Sequence, residues 1–132
     1  MRKKISVVCF TIILSMVFSV LAFADTATTT GRTNGGTAGV LNVPCSNACN
    51  RDNAIAITSV GHIAPNPSPS TNLTWSYLNV STGFVDSRSA SGTVSVTVNP
   101  AISNYQSRTS ASTHRVSSSA WGSWSGSLNS RF

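Results

Sequence analysis

Hydrophobic and polar positions alternate most clearly between Asn72 and Val98. Leu73, Trp75 and Tyr77 are separated by Thr74 and Ser76, and Val94, Val96 and Val98 by Ser95 and Thr97. Side chains two apart on a strand share a face, so each run predicts a half-buried strand with its large residues on one side. Pressed together, the two faces make a small core. Ser81-Thr82-Gly83 and Ser91-Gly92 supply turn residues between the runs, and Phe84 and Val85 fit a short intervening strand.

Upstream, Ala54 to Val60 is a further strand candidate, bounded by Arg51-Asp52-Asn53 and Gly61, and Val40, Leu41 and Val43 suggest a shorter one. Pro65, Pro67 and Pro69 remove a backbone donor at every second position, which predicts an extended loop feeding the Leu73 strand. Downstream of Asn99-Pro100, Ala101 to Thr109 and Ser110 to Ser118 are weaker strand candidates with Ile102, Tyr105 and Val116 inward. Trp121, Trp124, Leu128 and Phe132, interleaved with Gly122, Gly126 and serines, suit a twisted closing strand. No segment carries a sustained helical stripe. The pattern predicts an all-β fold, a small antiparallel sandwich or open barrel of roughly five to eight strands.

The start of the chain has a different character. Arg2-Lys3-Lys4 precedes an almost unbroken apolar run from Ile5 to Phe23, and Ala22-Phe23-Ala24 places small residues where a signal peptidase reads. Residues 1–24 therefore read as a secretory signal peptide cleaved after Ala24. An uncleaved anchor is the rival, because a bilayer span needs only about 20 apolar residues. Cleavage leaves an extracellular protein with no stable membrane span. Asp25 to Gly39, rich in threonine and containing Asn34-Gly35-Gly36, reads as a flexible arm, and residues 40–132 as a single β domain.

Removing the leader alters the charge argument. The formal charge of the whole chain is +6, and Arg2, Lys3 and Lys4 supply half of it. What remains is six scattered arginines (Arg32, Arg51, Arg88, Arg108, Arg115, Arg131) against Asp25, Asp52 and Asp86, with no lysine or glutamate. Single arginines, none adjacent to another, suit a solvated surface better than a nucleic-acid footprint, and no nucleic-acid partner is expected.

Cys9 lies in the leader, so Cys45 and Cys49 are the cysteines of the exported chain. In an oxidising setting a disulfide between them is expected, closing a very small ring on a turn or a single helical turn after Pro44. A metal would need further ligands beside the isolated His62 and His114, and neither metal nor cofactor is expected. Catalysis has little to draw on. A triad would combine a serine with His62 or His114 and one aspartate, without any framing motif, so the chain reads as a non-enzyme and a secreted hydrolase is the lesser alternative.

Binding has better material. Trp75 suits core packing, whereas Trp121 and Trp124, with glycine neighbours, offer rings to a glycan or other cell-envelope component. Tyr105, and His114 with Arg115 beside it, complete the candidate contact set, although His114 by itself suits an exposed strand position.

Trp75-Ser76-Tyr77, Ser103-Asn104-Tyr105, Thr113-His114 with Val116, and Trp121 together resemble the lactococcin-type family of small exported β-sandwich bacteriocins. The resemblance covers about half of the chain beyond the leader. It implies a non-enzymatic antimicrobial protein that binds a cell-wall precursor through an aromatic and arginine-bearing β surface. The leading expectation is thus a bacteriocin-like or otherwise envelope-directed secreted binding protein. The alternative is a structural, surface- or matrix-associated protein whose Ser/Thr-rich strands self-associate.

Overall fold

The computed structural model describes residues 25–61 and 66–132; the expected leader and cleavage site, His62 and Pro65 lie outside them. The described residues form eight strands: β1 (Asp25–Arg32), β2 (Asn42–Cys49), β3 (Ala54–Thr58), β4 (Ser68–Asn79), β5 (Val85–Gly92), β6 (Ser95–Val98), β7 (Tyr105–Ser117) and β8 (Trp124–Arg131). Two antiparallel sheets, ordered β1-β2-β3-β6 and β5-β4-β7-β8, stack face to face without closing into a barrel. The fold is the expected β sandwich. Among the described residues no helix is long and apolar enough to cross a membrane.

The two periodic runs meet as their patterns require. Leu73, Trp75 and Tyr77 on β4 face Val96 and Val98 on β6 of the other sheet, with Cys49, Ala54 and Ala56 completing one apolar cluster. Trp75, Tyr77 and Tyr105 lie edge to face or tilted, with centroids 5.0 to 6.0 Å apart, an arrangement that adds about 0.5–1.5 kcal/mol per pair beyond area burial. A second apolar cluster, Leu41, Val43, Cys45 and Val116, lies towards the opposite end, with Trp121, Trp124 and Leu128 packed on it.

Three details of the valine region differ from the alternation. Val94 is 43% exposed in the bend before β6, Phe84 is 73% exposed in the β4–β5 turn, and Val85 opens β5 on the surface. The turn itself is held by Asn79, whose Oδ1 accepts from the amides of Ser81 and Thr82 at 3.1 and 3.3 Å, with Gly83 at φ 76°.

Two larger expectations are corrected. Asp25 to Arg32 belongs to no flexible arm: it is β1, paired residue for residue with β2. Its threonines are β-branched and suit a pleated strand, and Gly31 lets the Trp124 ring lie against the backbone, where a Cβ would collide with it. The expected disulfide is absent. Cys45 and Cys49 are free, both buried, and both on the inward face of β2. Extended backbone carries residues four apart to ~13 Å, far beyond the ~4.4–6.8 Å a disulfide spans. The turn that would have closed the ring is a strand.

Downstream, the two weak strand candidates are one strand. β7 runs unbroken from Tyr105 to Ser117 alongside β4, with a bulge: Ser76 pairs with Thr109 but Tyr77 pairs with Ser107, leaving Arg108 as the extra residue. A bulge shifts the inward phase by one residue, so β7 points Ser107, then Ser110, Ser112, His114 and Val116 into the sandwich.

Candidate functional site

The expected contact residues do not form one constellation. Tyr105 is half-buried on the aromatic cluster and donates its hydroxyl to Asp52 Oδ1 at 3.2 Å; burial and the Asp52 carboxylate both push its phenol pKa up. Trp121 is half-buried against the second apolar cluster. Trp124 packs between Gly31 and Gly126, both of which lack the Cβ that would strike the ring. Arg115 is exposed on the outer face of β7 and shares with Trp124 a cleft of about 540 Å³ lined also by Ser68, Ser70, Ser123 and Ser125. Arg115 and Trp124 are thus the pair that the fold brings together.

His114 points the other way. Instead of an exposed strand residue it is 0% exposed, held between the sheets with both ring nitrogens bonded. Nδ1 lies 2.8 Å from Thr58 Oγ1, and Nε2 lies 2.7 Å from Ser112 Oγ. Thr58 Oγ1 is 2.7 Å from Thr71 Oγ1, which donates to the Thr93 carbonyl at 2.8 Å. That last bond fixes the protons as far as Nδ1, and the neutral ring that burial favours makes Nε2 an acceptor. A hydroxyl has one hydrogen, so Thr71, donating to the carbonyl, accepts from Thr58; Thr58 accepts from Nδ1–H; and Nε2 accepts from Ser112. The imidazole is neutral in this arrangement, and burial lowers its pKa from the ordinary 6.5. The Ser112–His114 contact has the distance of a nucleophile–base pair, but neither nitrogen meets an aspartate, and both side chains are sealed in the interior.

A second buried network lies alongside. Asn47 donates to the carbonyls of Ser110 and Leu128 at 3.2 and 3.0 Å and accepts from Ser110 Oγ at 2.7 Å, while Ser110 and Ser130 hydroxyls meet at 2.8 Å. Ser107 accepts from the Trp75 indole at 3.0 Å. Every buried polar side-chain atom among the described residues has a partner. These groups hold the sheets in register and are not open to a ligand.

Chemistry accessible from outside lies on the outer face of the β5-β4-β7-β8 sheet. Strand register arranges its side chains in rows: Ser70, Arg115, Ser125; Ser91, Asn72, Thr113, Ser127; Ser89, Thr74, Ala111, Asn129; and Ser87, Ser76, Thr109, Arg131. Neighbours within rows bond directly, Asn72 Nδ2 to Thr113 Oγ1 at 3.2 Å and Thr74 Oγ1 with Ser89 Oγ at 2.8 Å. Arg115 borders a second cleft of about 400 Å³ with Asn72, Thr113, Ser125 and Ser127. No carboxylate stands in these rows: Asp25 is on β1, Asp52 is bonded by Tyr105, and Asp86 is opposite the inward Tyr77 and bonded by Asn79. Sequence reasoning singled out Arg115 but missed the rows, because alternating Ser and Thr mark a polar face without saying which strands align. The opposite outer face, with Thr26, Thr28 and Thr30 on β1, Pro44, Ser46 and Ala48 on β2 and the half-buried Ile55 and Ile57 on β3, carries no charge apart from Arg32 at its corner.

Among the described residues no three histidine, cysteine or acidic side chains converge as a metal site would require. Comparison with protein-family models, with curated proteins and with solved structures finds no match for this chain.

Proposed function

We propose that this is an exported, non-enzymatic binding protein directed at the cell envelope, and that its contact is the outer face of the β5-β4-β7-β8 sheet. One observation carries the reading: four rows made up mostly of hydroxyl and amide side chains, with Arg115 in the first row, Arg131 in the last and no carboxylate among them. Such a face offers hydrogen bonds to hydroxylated polymers and an attraction for anionic groups, at little cost in ordering because the donors stand on strands. A bacteriocin-like action is the form of this reading that the family resemblance suggests. The test is co-sedimentation of the purified protein with isolated cell walls from a panel of bacteria. Thr113→Glu with Asn72→Glu, placing charge in mid-face, is expected to abolish it, and Thr28→Glu on the other outer face to preserve it. A folded protein that sediments with no wall preparation overturns the proposal.

A second reading rests on β1. Its outer edge is unpaired, and from Thr26 to Gly31 it carries neither charge nor proline, the devices that usually blunt an edge strand. Self-assembly through this edge would suit a matrix or surface protein. Analytical ultracentrifugation discriminates: a species that stays monomeric at high concentration ends this reading and leaves the first intact.

A further inference from the structure

The arginines of the outer face are not placed evenly. Arg115 stands opposite Ser125, and Arg131 opposite Thr109, so the two guanidinium groups lie on the same face of the β7–β8 hairpin but six residues apart along it. At ~3.3 Å per residue that separation is ~20 Å. The exposed Arg108, without a β4 partner at the bulge and with its carbonyl accepting from the Phe132 amide at 2.9 Å, joins Arg131 at its end. Between the two cationic ends lie Thr113, Ala111, Ser127 and Asn129, neutral and small.

Resting on the binding role proposed above, we infer that this hairpin face takes a linear acidic polysaccharide laid along the strands, with carboxylates meeting Arg115 at one end and Arg131 at the other. Three features favour that class. Arginine forks onto carboxylates in two parallel hydrogen bonds. The hydroxyl and amide groups between the cations match the hydroxyls of sugar rings, for which a bare phosphate chain has no counterpart. A single-stranded nucleic acid would want aromatic rings on which to stack its bases, and the rows between the arginines hold none.

The experiment is affinity electrophoresis of the purified protein through gels containing polygalacturonate, with inorganic polyphosphate and single-stranded DNA as parallel gels of matched charge. Retardation by polygalacturonate beyond that by the other two is expected. Arg115→Ala/Arg131→Ala is expected to weaken it by about tenfold or more, whereas Arg32→Ala/Arg51→Ala, with the same net charge, leaves it unchanged. Galacturonate oligomers are expected to compete only once they reach ~20 Å. Equal retardation by DNA or polyphosphate, equal loss in the control variant, or competition by the monosaccharide each overturns the inference. Thermal midpoints of both variants matching the parent exclude misfolding of these exposed positions. Wall co-sedimentation on the same proteins separates the two claims: binding to walls without retention by polygalacturonate defeats this inference alone, and failure of both defeats the binding role as well.

Discussion

Trp75 and His114 are both fully buried between the same two sheets, on strands β4 and β7 that pair with each other, yet they are held there by opposite means. Trp75 sits among Leu73, Tyr77, Val96 and Val98, and its indole N–H bonds Ser107. His114 sits in a band of polar side chains, with Thr58, Thr71, Ser112, Asn47, Ser110 and Ser130, that separates the two apolar clusters. One region gains from area removed from water. The other gains little net, but it makes misregistration costly, because a slip of either sheet would orphan buried donors and acceptors. A chain with few large aliphatic residues among those described can fill an interior this way provided every polar atom is met.

The contrast is broken most severely from the apolar side. Trp75→Ala removes the largest fully buried side chain and dismantles its contacts with the Tyr77 and Tyr105 rings; a loss of about 3–5 kcal/mol is expected in denaturant unfolding. On the polar side, Asn47→Ala creates a smaller void but deprives the Ser110 and Leu128 carbonyls of a donor and the Ser110 hydroxyl of its acceptor. The expected cost is about 1–3 kcal/mol. If Asn47→Ala proves neutral by the same measurement, the polar band does not fix the register.

Legibility divides along the same line. Leu73, Trp75, Tyr77, Val96 and Val98 announce an inward face because each differs in kind from its neighbours. On β7 the contrast inverts: inward Ser110, Ser112 and His114 alternate with outward Ala111, Thr113 and Arg115, and nothing in residue type says which set is buried. The inward set is satisfied by Asn47, Thr58 and Thr71, contributed from strands distant in sequence, so its burial is a tertiary fact. The bulge at Arg108 hides the pattern further by breaking the period within the strand. Arg115 was legible as a contact candidate and the hydroxyl rows were not, since rows exist only once four strands are in register.

The polar band also gives the molecule a pH response on the acid side of neutrality, whereas the shifted groups on the apolar clusters, Tyr105 and Cys45, are raised by burial. In the unfolded chain His114 protonates near its ordinary 6.5, whereas burial holds the folded value lower. Above that range the imidazole is neutral in both states and contributes no pH dependence. As pH falls through 6.5 and towards the depressed folded value, the unfolded state binds a proton that the folded state refuses, so stability falls, by at most about 1.4 kcal/mol per pH unit. Protonation would also give Nε2 a hydrogen facing the hydroxyl hydrogen of Ser112. Urea unfolding at graded pH checks this: His114→Gln is expected to be less stable at pH 8 but to show a shallower decline towards pH 5. An unchanged slope would assign the response to another group.

Gly31 and Trp124 test whether the edge at β1 and β8 belongs to the interior or to the binding surface. A methyl group at Gly31 collides with the Trp124 ring, so Gly31→Ala is expected to cost about 1–3 kcal/mol. In a Trp124→Leu background much of that cost should vanish, and this coupling marks Trp124 as packing before it is contact.

The smallest effect is expected one position from the band. Arg115 follows His114 directly, and the pleat turns it to the opposite side, where it is exposed. Arg115→Ala removes no buried contact, and surface substitutions of that kind usually stay within about 0.5 kcal/mol; its thermal midpoint should match the parent while retention on an acidic glycan falls. His114→Ala should do the reverse, losing stability while the surviving folded fraction keeps the outer face intact. If Arg115→Ala were as destabilising as a change in the polar band, the outer rows would be part of what holds the sheet together, and their claim to be a binding face would weaken accordingly. Two neighbours in sequence thus carry separable consequences, one for the fold and one for recognition, because a strand two sheets deep presents alternate residues to different solvents.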